Sequence, residues 1–387
     1  MSNKKKGNKN KTPRSNKRAA SPAAVNTKDR ETKRRNKQRQ ESGTTVAAIR
    51  TDNSSKISSL TTRTSSATAP GKLILFGEHA VVYKDKRALA CALDLSTTTT
   101  VSSSTTTDIP SPLPVFLIIS LPEVSIIDLR VNLTDLQSAF ENSKTTDFSP
   151  EVLSRNKLLI DSLEQFLDAT IAVNVSQNTV ESTATGRRAL LTLLVLYIGI
   201  TSTTPTTQFM DIKIHTTSKI PTGSGLGSSA SFCVSLAAAL LRHVNKISST
   251  ETAAITKTSA TNTNGNTTSI PENQHRQQQL DRTVINAWAL CGETVLHGLV
   301  SGVDNTVVCF GGVNVYVKGC EMMQVQGLAG GLRMLITNTK VEKDTKKQVG
   351  IVSGRMEAME GVVSKLVDAV DAVVGEACRV FKEYGKR

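Results

Sequence analysis

Three short segments carry glycines and side chains that can do chemistry together. In KIPTGSGLGSSASFC (219–233), glycines alternate at Gly223, Gly225 and Gly227, Ser228 and Ser229 follow, and an apolar run begins. Glycine lets a backbone approach a ligand closely, and the first turn of a helix offers unpaired N–H groups at the positive end of its dipole. Together these favour phosphate. The stretch is not a Walker A loop, because no Gly-Lys-Ser/Thr follows, and its G-x-G-x-G spacing is not that of a dinucleotide fingerprint. A helix cap with a flexible lead-in fits the same letters. In APGKLILFGEHAVVY (69–83), Lys72, Glu78 and His79 are polar groups set among apolar ones. Each alone reads as a satisfied structural residue as readily as a catalyst. In GETVLHGLVSGVDN (292–305), Asp304 sits in a glycine-flanked loop after a helix, where it can serve as a base or only cap a turn. Glu293 can equally belong to a solvated helix face.

These groups need elements to hold them. MDIKIHTT (210–217) alternates apolar and polar residues as a half-buried strand does, and SFCVSLAAALLRHV (231–244) reads as a buried helix. With the glycine stretch between them they form a strand–loop–helix unit. GKLILF (71–76) and RALACALDL (87–95) read as buried strands, with order expected to begin near Ala69. TTTTVSSSTTT (97–107) is β-prone and is expected to be a strand running into a loop. Helices are expected from RVNLTDLQSAF (130–140), over 152–170, over 186–200 and around 282–297. Residues 306–319 read as two strands joined at a Gly-Gly pair, and 333–339 as another strand. Valines and methionines spaced three and four apart predict helix over 347–383.

The 387 residues carry a formal net charge of +14, but 18 of the 47 Lys+Arg and only 4 of the 33 Asp+Glu fall in residues 1–66. The remainder is neutral, so the basic character says nothing about the body's substrate. Residues 1–66 are expected to be a disordered basic tail. KKKGNKNK and TKRRNKQR are compatible with nucleic-acid contact, with a solvated tail as the simpler reading. Residues 248–279, rich in Thr, Asn, Ser and Gln, read as a disordered polar insert. Six cysteines without a C-x-x-C pair point to buried thiols in a reducing compartment rather than disulfides or zinc. No apolar run reaches the ~20 residues of a transmembrane segment, and ALLTLLVLYIGI (189–200) suits a buried helix better. The N-terminus lacks the apolar core of a secretory signal, and a cytoplasmic location is expected.

Taken in order, the segments resemble motifs shared by the GHMP family of small-molecule kinases and, within it, by the mevalonate kinases. APGKLILFGEHAVVY resembles the N-terminal motif, IPTGSGLGSSAS the phosphate-binding loop and SGVDNTVVCFGG the substrate-side segment. LITNTKVEKDTKKQVGIV (335–352) is similar to a stretch typical of mevalonate kinases. The likeness covers most of 69–355 apart from the polar insert. It implies an α+β fold of two domains: an N-terminal ribosomal-protein-S5-domain-2-like domain over 67–320, and an incomplete C-terminal ferredoxin-like domain over 321–387. It also implies ATP-dependent, Mg²⁺-assisted phosphorylation of the 5-hydroxyl of (R)-mevalonate. Asp304 would take the hydroxyl proton, and Lys72 would sit beside it and neutralise charge on the transferring phosphoryl group. Ser218, Gly223, Ser224, Gly225, Leu226, Gly227, Ser228 and Ser229 would hold ATP, with Lys72 and Asp94 also approaching the nucleotide. Ser229 and Glu293 would hold Mg²⁺, a hard cation that takes oxygen ligands. Glu78, His79 and Thr345 would line the mevalonate side, and a homodimer would fit the family's habit.

The chain also departs from the family pattern. Phe76 stands where many relatives are polar, Val300 where proline is common, and Glu342 and Lys343 where Pro and Arg are usual. The family's late glycine-rich motif has no counterpart, and GLAGG (327–331) comes too early in order to replace it. A truncated form is therefore expected. Two rival functions follow: another GHMP kinase such as phosphomevalonate kinase, or an inactive fragment whose basic tail engages nucleic acid or membrane. GEHAVV with TNTKV argues against the first, and the retained Lys72, Glu293 and Asp304 argue against the second.

Overall fold

A computed structural model describes residues 60–106, 115–175, 183–202, 212–248, 272–298, 300–318, 320, 322–325, 333–337 and 345–384. Most of the expected tail (1–59) and of the expected insert (249–271), and the 338–344 stretch with Glu342 and Lys343, lie outside the described residues.

The sheet begins where threonine and serine dominate. β1 (Leu60–Phe76) and β2 (Arg87–Thr106) pair antiparallel along almost their whole length. β-Branched threonine favours extended backbone. Cross-strand hydroxyl pairs, Thr68 with Thr98 at 2.9 Å and Ser66 with Thr100 at 3.2 Å, mark the register. Strand therefore reaches back to Leu60, well ahead of the expected start near Ala69. β3 (Phe116–Leu121) and β4 (Ile126–Asn132) form the next pair. α1 (Leu133–Asn142) starts later than the pattern from Arg130 suggested, because the Asn132 side chain accepts the Thr134 N–H at 2.9 Å and caps it there. α2 (Pro150–Leu153), α3 (Lys157–Val175) and α4 (Ala184–Thr201) follow, then β5 (Ile212–Ser218), α5 (Ser228–His243) and α6 (Glu272–His297). The described chain continues through α7 (Val303–Phe310), β6 (Val313–Val317), β7 (Met323–Gln324), α8 (Thr345–Ala358) and α9 (Glu360–Tyr384).

The strand order is β4-β3-β5-β2-β6-β7, with β1 on the other side of β2, and only the β3–β5 pair is parallel. β2 is long enough to serve two neighbours: 97–103 pairs with β5 and 87–91 with β6. Along the first stretch, Thr99 faces α5, its hydroxyl 2.9 Å from both Thr216 and Ser235. Behind α5 lie α4 and α6, which share the main core with Leu193, Tyr197, Leu236 and Trp288. Among the described residues α4 is the one helix long and apolar enough to cross a membrane, but 72% of it is buried, as a core helix requires. Along 87–91 the two faces of β2 diverge. Ala88 and Ala90 pack with Val303 and Val307 of α7, whereas Leu89 packs with Val374 and Cys378 of α9.

Several expectations need correction. Residues 272–279, expected to belong to the disordered insert, are the first two turns of α6, which begins at Glu272. Residues 303–310 are helix, not strand: Val303, Val307 and Val308 bury one helical face, and their β-branching disguised it. A single strand, β6, follows the Gly311-Gly312 pair. Residues 333–337 adopt no regular structure, and Leu335 is 96% exposed. A strand needs a paired neighbour, and among the described residues none lies beside it. The helical run over 347–383 is two helices, divided at Met359. All six cysteines are free thiols; five are buried as expected, but Cys320 is exposed.

Candidate active site

The glycine loop is anchored at its entrance. The Ser218 hydroxyl lies 2.8 Å from that of Thr97 and accepts the Ile220 N–H at 3.1 Å. The Ser218 N–H donates to the Glu123 carboxylate, and the Lys219 N–H to the Ser96 carbonyl at 2.9 Å. Inside the loop, the Ser224 hydroxyl donates to the Pro221 carbonyl at 2.7 Å. Gly223, Gly225 and Gly227 take φ of 71, 77 and 74°, a conformation that strongly favours glycine. Gly227 is the N-cap of α5, and no side chain caps that helix, so Ser228 and Ser229 open it with their N–H groups unclaimed by a cap. The helix start is tied to β1 by the Ser231 hydroxyl, which donates to the Ala69 carbonyl at 2.8 Å.

Lys72 runs close beside this loop. Its backbone N–H donates to the Leu226 carbonyl at 2.9 Å. A Cβ on Gly71 would lie 2.8 Å from that same carbonyl oxygen, and one on Gly227 would lie 2.6 Å from Cγ of Lys72. Both glycines are needed for the crossing. The strand register shifts here: Lys72 pairs with Ala92 and Pro70 with Ser96, so 93–95 bow out opposite Gly71 and carry the exposed Asp94. From its buried position, Lys72 reaches Asp304 Oδ1 with Nζ at 2.9 Å. Asp304 lies in the first turn of α7, directly after Gly302 at φ 80° and Val303.

A second polar pair stands alongside. The Ser229 hydroxyl donates to Glu293 Oε1 at 2.9 Å, and Glu293, on α6, is 4% exposed. Burial, helped by the negative charge of Asp304, pushes the Glu293 carboxyl up to about 7. The Ser229 hydrogen bond and Lys72 pull it part of the way back. This arrangement fits a phosphate chain with a divalent cation. A buried carboxylate and a hydroxyl supply hard oxygen ligands beside an uncapped helix start, and surplus negative charge there is what a cation relieves.

Lys72, the 223–229 loop, Glu293 and Asp304 therefore lie together in the structure. Ser218 holds the loop's entrance, and Asp94 lies on the neighbouring bulge without a hydrogen bond or ion pair among the described residues. Glu78 is exposed. His79 sits at φ 68° with Nδ1 buried and without a hydrogen-bond partner. The side chain of Thr345 lies outside the described residues. Three contributors were not foreseen. Gly71 was legible as a glycine beside Lys72 in a strand, whereas no spacing marks Glu123 or the Ser231–Ala69 tie, which depend on contacts distant in sequence.

Residues 197–274 match the GHMP kinases N terminal domain family. Mevalonate kinase of Mus musculus is 31% identical over 315 residues, covering 81% of this chain and 69% of that protein. Mevalonate kinase of Arabidopsis thaliana is 32% identical over 325 residues, covering 82% and 73%. The crystal structure of Methanococcus jannaschii mevalonate kinase aligns at TM-score 0.46 and 19% identity, over 81% of this chain and 72% of that one. By its identity to the curated relatives over most of both sequences, the chain belongs to the mevalonate kinase family of the GHMP kinases.

Proposed function

We propose that this chain transfers the γ-phosphoryl group of ATP to the 5-hydroxyl of (R)-mevalonate, a step that feeds isoprenoid synthesis. The observation that carries the reading is the Lys72–Asp304 ion pair of 2.9 Å beside the Ser229–Glu293 pair of 2.9 Å, both at the mouth of the glycine loop. In this reading the backbone N–H groups of 223–229 bind the phosphates, with Ser218 and Asp94 on the nucleotide side. Glu78, His79 and Thr345 receive mevalonate. Asp304 takes the hydroxyl proton as that oxygen bonds to the γ-phosphorus, while the bond to the β-phosphate oxygen breaks and ADP leaves. The Lys72 ammonium neutralises charge on the transferring group. Ser229 and Glu293 are the residues that would hold Mg²⁺, which supplies charge neutralisation when bound. The reading extends to a cytoplasmic homodimer, which light scattering and fractionation can test.

Steady-state kinetics with ATP and a panel of mevalonate, phosphomevalonate, homoserine and galactose tests the assignment. Mevalonate is expected to be preferred, and Asp304→Ala or Lys72→Met to lower kcat by roughly 10²-fold or more with the circular dichroism spectrum unchanged. Near-normal rates in either variant, or preference for another alcohol, would overturn it.

A further inference from the structure

α9 lies on the face of β2 opposite α7, packed through Leu89, Val374 and Cys378, and a half-buried ion pair adds direction to that packing. Asp371 Oδ1 accepts from both the backbone N–H and Nε of Arg87 at 2.9 Å, and Oδ2 accepts from Nη2 at 2.7 Å. Nη2 also donates to the Asp371 carbonyl at 3.1 Å. A guanidinium fork matched to a carboxylate fixes direction as well as distance. One turn further along α9, a Cβ on Gly375 would lie 2.9 Å from Nη1 of Arg87, so the guanidinium rests against the bare helix backbone.

The same strand residue touches the turn that carries Glu78 and His79. Gly77, at φ 88°, is enclosed between Arg87 and α9: a Cβ there would lie 2.3 Å from the Arg87 carbonyl oxygen and 3.0 Å from Cγ2 of Val374. The Val81 N–H donates to the Gly77 carbonyl at 3.2 Å, and α9 packs against the 3-10 turn Ala80–Val82. Between these two supports His79 is held at φ 68° and ψ −37°, a conformation that a residue with a side chain keeps only when its surroundings impose it. The phosphate loop is anchored elsewhere, on Lys72, Ala69 and Ser96.

We propose that Arg87 and Asp371 are positioning residues for the reaction. By seating Val374 of α9 under Gly77, they hold Glu78 and His79 in the orientation that receives the hydroxy acid, while leaving the nucleotide side alone. This inference rests on the mevalonate kinase reading above. It is tested in the full chain by measuring KM for mevalonate and for ATP separately in Asp371→Ala, Gly375→Ala and Lys86→Ala. Asp371→Ala removes the clamp, and Gly375→Ala displaces the guanidinium while keeping Asp371. Lys86→Ala removes only the adjacent exposed pair with Asp368. The first two are expected to raise KM for mevalonate on the order of tenfold or more, since small displacements far from the chemistry misplace a substrate. KM for ATP should stay within about twofold, because the clamp does not support the loop, and Lys86→Ala should match wild type. If Asp371→Ala does not fold, Gly375→Ala carries the same split. Equal rises in both KM values, or no change in either, would overturn the inference alone. Absence of mevalonate turnover in the wild type would overturn the underlying reading and the inference with it.

Discussion

Glu293 is the residue whose environment says most about how the site behaves with pH. Its carboxyl is pushed from an ordinary 4.5 up to about 7, first by burial and then by Asp304. Between those values the folded protein keeps a proton that the unfolded chain has released. The stability contributed by this group is therefore complete below about 4.5 and lost as pH rises through about 7. The span corresponds to a loss on the order of 3 kcal/mol in the metal-free protein. Thermal melts of that protein between pH 5 and 8 should show the decline, and Glu293→Gln, which cannot ionise, should flatten it. Identical slopes in both proteins would mean that the carboxylate is solvated. On the proposed reading, in which Glu293 would hold Mg²⁺, magnesium affinity should move the opposite way and improve through the same window, because a carboxylate must be ionised to bind a cation.

At the scale of elements, the site depends on how closely α4, α5 and α6 approach one another. A Cβ on Gly292 would lie 2.9 Å from Sγ of Cys233 on α5, and Gly292 immediately precedes Glu293. On α4, a Cβ on Gly199 would lie 2.6 Å from the ring of Trp288 on α6. Gly199→Ala should destabilise the fold by roughly 1–3 kcal/mol through overpacking. Trp288, the single tryptophan, reports the unfolding transition by its fluorescence. An unchanged denaturation midpoint would show that the crossing has room to spare. Gly227→Ala tests the other close crossing. With a positive φ and Lys72 Cγ 2.6 Å away, it should lower turnover by about 10²-fold. A rate near wild type would mean that Lys72 has another path to Asp304. These contacts also mark the limit of what sequence could tell. The loop between an alternating strand and an apolar helix was readable because its signals are local. So was the α4 core helix, from its unbroken apolar run. The start of β1 at Leu60 was missed because its threonines and serines are polar, and only pairing with β2 makes them strand. The helix over 303–310 was missed because β-branched valines at helical spacing look locally like strand. Gly199 and Gly292 carry no local signal at all, since their necessity comes from a helix that arrives from elsewhere in the chain.

For the whole molecule, the excess positive charge is concentrated at the N-terminus. Residues 67–387 carry 29 basic and 29 acidic residues, whereas residues 1–66 hold 18 basic and 4 acidic ones. Lys72 is 7% exposed and paired at 2.9 Å, so the charges that would act on the phosphoryl group are fixed by contact and little screened by salt. The described site lies entirely within the unit Ser58–Arg387, and β1 begins at Leu60. Deleting residues 1–57 therefore keeps every strand pair and every site residue, while removing almost all of the excess positive charge. The shortened chain is expected to retain kcat and both KM values within about twofold, since every residue of the described site lies outside the deleted stretch. Retention of the full chain on immobilised RNA or heparin should fall steeply with salt, by the release of counterions from the polyanion, and should vanish with the deletion. Measuring turnover and salt-dependent retention on the same two proteins decides the matter. If the deletion abolishes turnover instead, the basic segment belongs to the catalytic unit and the division of labour by charge is wrong.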